Sequence, residues 1–116
     1  MSTLCQGRIV HALDAICDPQ GRNPKENRPF VVVSTPEEID RDDDLHLVAI
    51  SSRPPTSDDD VPLPWAAGGR CMTGLSMPSV AVCSWTERVP QDRVTVGRGF
   101  VRPSELEQIL RNVFGE

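Results

Sequence analysis

Eleven prolines, spread from Pro19 to Pro103, limit how far any regular element of this chain can run. Proline lacks the N–H that a helix interior or a central strand requires. Eight glycines divide the remaining intervals further. Short strands are therefore favoured over long helices. At 116 residues and 38% hydrophobic content the chain is one domain. It is long enough to bury roughly two thirds of its unfolded surface.

The intervals between the breakers have strand character. Gly7-Arg-Ile-Val-His-Ala12 is a short candidate. Residues 14–27 carry Asp-Pro, Gln-Gly and Asn-Pro turn signals and read as a loop. Arg28-Pro29-Phe-Val-Val-Val-Ser34 is β-branched, and Pro29 fits only at its beginning. Thr35-Pro36-Glu37-Glu38 supplies a cap hydroxyl, an N-terminal proline and early acids, enough for one helical turn. Leu45–Ser51 and Ser79–Trp85 read as clear strands, 53–60 as a solvated loop, and Val61-Pro-Leu-Pro-Trp65 as an edge strand. Ser104-Glu-Leu-Glu107 fits a capping box. Leu106, Ile109, Leu110, Val113 and Phe114 then recur at helical spacing, predicting an amphipathic helix of about three turns. The expected fold is a single domain over 1–116, mainly β (small α+β), a curled sheet or partly open barrel with a C-terminal helix.

The net charge of −5 is unevenly placed. Residues 36–70 hold nine acids (Glu37, Glu38, Asp40, Asp42, Asp43, Asp44, Asp58, Asp59 and Asp60) against three arginines. A pI near 5.0 argues against non-specific duplex DNA binding. It leaves room for a small site built from a few arginines, and all the basic residues except Lys25 are Arg. No 18-residue apolar stretch predicts a membrane span. No apolar run follows MSTLCQGR, so a secretory signal is not expected. The cysteines at 5, 17, 71 and 83 form no C-x-x-C and share no ligand spacing with His11 or His46. Free thiols and no metal site are expected. Cys83 reads as a small hydrophobe, His11 as a half-exposed strand histidine, and Trp65 and Trp85 as core or interface aromatics.

Gly7-Arg-Ile-Val, Asp18-Pro19 with Gly21, and Arg28-Pro29-Phe-Val-Val-Val-Ser34 together resemble the opening of the MazF/PemK toxins. Leu47-Val-Ala-Ile-Ser51-Ser52, Ser79-Val-Ala-Val-Cys-Ser-Trp85 and the final helix continue the resemblance over residues 7–114, in order. The chain differs from the family pattern at Gly7-Arg8, where Gly-Asp is usual, and in a longer loop before Arg28. Where the family places Glu-Gln it has Pro24, Lys25 and Glu26.

The resemblance implies an SH3-like barrel acting as a homodimer in the prokaryotic cytoplasm, with no cofactor and no metal. It implies cleavage of single-stranded RNA at short sequences and neutralisation by a cognate antitoxin. Arg28 matches the family's catalytic arginine, and Ser51 its hydroxyl residue at the end of a strand. Glu26 is the candidate substitute for the missing glutamate, with Lys25 and Ser52 as further RNA-binding candidates. Attack by a ribose 2′-hydroxyl builds charge on phosphate oxygens. A guanidinium can place several donors on those oxygens, and a hydroxyl can donate without adding charge. Arginine stays protonated, so Arg28 is expected to stabilise charge or give a proton rather than act as a base. The alternative is a non-catalytic member of the same barrel that binds a protein partner or nucleic acid.

Overall fold

The computed structural model describes residues 3–115. Six strands form one antiparallel sheet: β1 (Arg8–Ala12), β2 (Pro29–Val32), β3 (Leu45–Ser51), β4 (Asp60–Leu63), β5 (Ser79–Val89) and β6 (Val94–Phe100). Their order is β4-β5-β3-β2-β1-β6, so the sheet is open, with β4 and β6 at its edges. Two helices accompany it, α1 (Pro36–Asp40) and α2 (Pro103–Phe114). The architecture is the small α+β, mainly β fold expected.

β2, β3 and β5 have near-continuous apolar runs because both of their faces are buried. Val31, Val33, Val48, Ile50, Ala81 and Cys83 point to one core, where Ile109 of α2 is fully buried and Leu106, Leu110 and Val113 pack beside it. Phe30, Val32, Leu47, Ala49, Val80, Val82 and Trp85 point to the other. Leu4, Ile16 and Ile39 of α1 pack against that face together with Val94 and Val96 of β6, and the sheet curls around them.

The ladder between β3 and β5 is interrupted. Val48 faces Thr86 while the next residue, Ala49, faces Val82, so Cys83, Ser84 and Trp85 bulge out of the ladder. Bulges of this kind bend a strand and redirect its side chains. The open edges are bridged by the segment after β4: Thr73 Oγ1 donates to the Pro64 carbonyl and the Phe100 amide to that of Met72. Gly99 is obligatory there, because a Cβ would collide with the Thr73 carbonyl.

Three local expectations need correction. β4 ends at Leu63, and Trp65 is 49% exposed, which overturns the core half of its core-or-interface reading. Asp60 is not solvated but buried at the start of β4. α2 lacks the predicted capping box: Pro103 takes the first helical position, Arg102 becomes the cap without a side-chain bond, and Ser104 lies inside the helix. Glu105 instead joins Arg102 (2.7 Å) and Ser104. Phe114 lies off the buried stripe, edge-to-face on His46 at 5.5 Å. The one-turn α1 forms as read, with Thr35 and Glu38 closing a reciprocal cap.

Candidate active site

The site begins with the turn at Asp18. One carboxylate oxygen accepts the amides of Gln20 and Arg22, and the other accepts the Asn23 side chain. The Arg22 amide, ahead of the other donors, holds this carboxyl below the usual carboxylate range. Asn23 and Asn27 adopt the left-handed backbone that asparagine tolerates, and an isolated bridge joins Ile16 to Lys25. The loop therefore has a defined shape, and it presents two carbonyls to Arg28.

Arg28 stands just before β2. Its Nε donates to the Ile16 carbonyl at 2.6 Å and its Nη2 to the Asn23 carbonyl. Its guanidinium lies over the Trp85 ring, 5.1 Å from the centroid, a cation–π contact worth about 0.5–2 kcal/mol. Trp85 is itself fixed, donating to Glu87 at 3.0 Å and meeting Phe30 edge-to-face. The Nη1 of Arg28 has no partner among the described residues. The side chain is thus clamped along one edge, with its outer donors left over.

Two cavities meet at Ser51, the last residue of β3. One, about 310 Å³, is lined by Lys25, Glu26, Arg28, Ser51 and Ser52 among others. The second, about 260 Å³, is lined by Asp18, Gln20, Ser51, Arg53, Ser84 and Trp85 among others. All five residues singled out in the sequence border the first.

A family model described as PemK-like, MazF-like toxin of type II toxin-antitoxin system matches residues 6–113. The chain belongs to this family. Solved structures share its fold. The MazF of Deinococcus radiodurans has a TM-score of 0.70 at 15% identity, over 99% of this chain and 96% of that one. An endoribonuclease from a mycobacterial species has a TM-score of 0.68 at 14% identity, over 99% and 91%. A mycobacterial endoribonuclease in complex with its cognate antitoxin has 0.65 at 16%, over 97% and 96%. No curated protein matches the sequence.

In this member of the PemK/MazF family, three features of the site escaped the sequence reading. Trp85 is the platform under Arg28, a contact created by the β5 bulge, which no local pattern announces. Ser84 reaches the same cavity through that bulge. Arg53 lines it as well, paired at 2.8 Å with Asp60, whose side chain is only 2% exposed. The spacing of Arg53 and Asp60 across a short loop was the available signal.

Other candidates stand apart. Arg8, in place of the usual acid, lies at the far end of β1, over Phe100 and donating to the Arg98 carbonyl. The 37–44 acids flank the start of β3, roughly 20 Å of strand from Ser51. His11 borders neither cavity, and burial lowers its pKa. Burial pushes the Cys83 thiol up to about 11, as befits a core hydrophobe. All four cysteines are free thiols.

Proposed function

We propose that this chain is the toxin of a toxin–antitoxin pair and an endoribonuclease that cuts single-stranded RNA without a metal. The observation that carries this reading is the convergence of Arg28, Ser51, Ser52, Lys25 and Glu26 on one cavity, with the Arg28 guanidinium clamped and its Nη1 unpaired.

In the proposed reaction a ribose 2′-oxygen attacks the adjacent phosphorus and the bond to the 5′-oxygen breaks. The products carry a 2′,3′-cyclic phosphate and a 5′-hydroxyl. Arg28 places Nη1 hydrogens on the phosphate oxygens as their charge grows. Because its other edge is already bonded, little reorganisation is needed at that moment. Ser51 donates to the same phosphate. Glu26, in the same cavity, is the carboxylate available to take the 2′-hydroxyl proton. The leaving 5′-oxygen takes up a proton from Arg28 or water. Lys25 and Ser52 bind the flanking backbone.

The protein works as a homodimer and is silenced by a cognate antitoxin. Family membership supports both, and one structural relative is an endoribonuclease in complex with its cognate antitoxin.

The deciding experiment incubates purified protein with a long single-stranded RNA in EDTA, beside Arg28→Ala. Discrete fragments with cyclic-phosphate ends from wild type, reduced about 10²–10³-fold in the variant, are expected. Intact RNA with folded wild-type protein would overturn the nuclease reading in favour of a binding module.

A further inference from the structure

Arg53 is anchored quite differently from Arg28. Its Nη1 donates to the Asp60 carboxylate at 2.8 Å and to the Pro54 carbonyl at 3.0 Å, which uses both Nη1 hydrogens. Asp60 also accepts the Thr56 amide at 2.9 Å, and its side chain is 2% exposed. The anchor is therefore rigid and buried. Nε and Nη2 of Arg53 make no hydrogen bond among the described residues. Those two atoms form the fork that fits a phosphate with two parallel bonds.

Arg28 spends its own Nε–Nη2 fork on loop carbonyls and keeps Nη1. The two arginines line neighbouring cavities that share Ser51. The unused fork belongs to a residue that lines a cavity, which a purely structural pair with Asp60 does not require.

We propose that Arg53 is a second phosphate-binding arginine, gripping the RNA backbone one step along the strand from the phosphate held by Arg28 and Ser51. The proposal rests on the RNA-cleaving reading given above. With Asp60 holding its inner end, Arg53 fixes the register of the strand and leaves Arg28 to meet the reacting phosphate.

The test measures binding of a mixed-sequence 2′-O-methyl oligoribonucleotide, which lacks the nucleophile, so affinity is read without turnover. Arg53→Lys keeps the ion pair and removes the fork. The double variant Arg53→Gln/Asp60→Asn removes both charges, so no carboxylate is left buried and unpaired. Both are expected to bind about tenfold more weakly. In the double variant the dependence of log affinity on log salt should be shallower by about 0.7, the loss of one phosphate contact to a single strand. Wild-type affinity and salt slope in the folded variants would overturn the proposal and leave the nuclease reading standing. Arg53-dependent binding by a wild type that leaves RNA intact in EDTA would overturn the nuclease reading alone. A wild type that does not bind the oligonucleotide would overturn both.

Discussion

A guanidinium held by two carbonyls and an indole face is not replaceable by an ammonium. Arg28→Lys keeps the charge but forfeits the fixed fork and most of the stacking. Its cleavage rate should fall nearly as far as that of Arg28→Ala, with Tm little changed, as single-turnover kinetics and melting would show.

The cysteines make a second residue-scale prediction. Thiolate is the reactive form, and Cys83 is both buried and shifted to about 11. Cys5, which is exposed, and the half-buried Cys17 and Cys71 should take a maleimide in the native protein. Cys83 should react only after unfolding, and fast native labelling at four sites by mass spectrometry would contradict this.

The placement of Arg28 and Ser51 at strand boundaries beside one cavity was legible because each sits in a short motif there. Arg53 was not, since its significance lies in a partner seven residues away that looked like one more loop acid.

Elements differed in legibility for a similar reason. β2, β3 and β5 announce themselves through β-branched runs, because burial on both faces demands them. β6 passed unseen: Thr95-Val-Gly97-Arg98-Gly99 has the glycine content of a turn, and the second of its glycines, Gly99, makes room for the Thr73 carbonyl. Gly99→Val should therefore cost several kcal/mol and release the Met72–Phe100 hydrogen bond, checked by denaturant titration. The last helix was legible in its apolar spacing but misread at its start, where Pro103 overrides Ser104. Its anchoring side chain, Ile109, is fully buried. Ile109→Ala should destabilise by about 2–4 kcal/mol in the same titration.

For the whole molecule, acid sensitivity should come in two stages. Burial lowers the pKa of His11, and burial together with the Arg88 charge lowers that of His46. The folded state thus binds these protons less readily than the unfolded chain. Their contribution to stability is complete above about pH 6.5 and declines as pH falls through the folded values. Asp60 and Glu105 are lowered chiefly by the hydrogen bonds from Arg53 and Arg102. Their contribution is complete above about pH 4 and is lost below it. Tm measured from pH 8 to pH 2 should show two separate declines, and His11→Gln should shrink the upper one. A Tm flat between pH 7 and pH 5 would contradict the assignment. The proposed dimer is tested at this scale too: sedimentation should give twice the chain mass at micromolar concentration.

The grip on Arg28 comes from residues 16 and 23, which flank the Asp18 turn rather than form its tip. Chain inserted between them leaves both carbonyls in place so long as the Ile16–Lys25 bridge holds. The segment works as a calliper whose jaws are set independently of the length of its handle. A lineage can therefore redecorate the tip at residues 19–21, while Asp18 keeps Arg22 and Asn23 in place, without moving the Arg28 guanidinium.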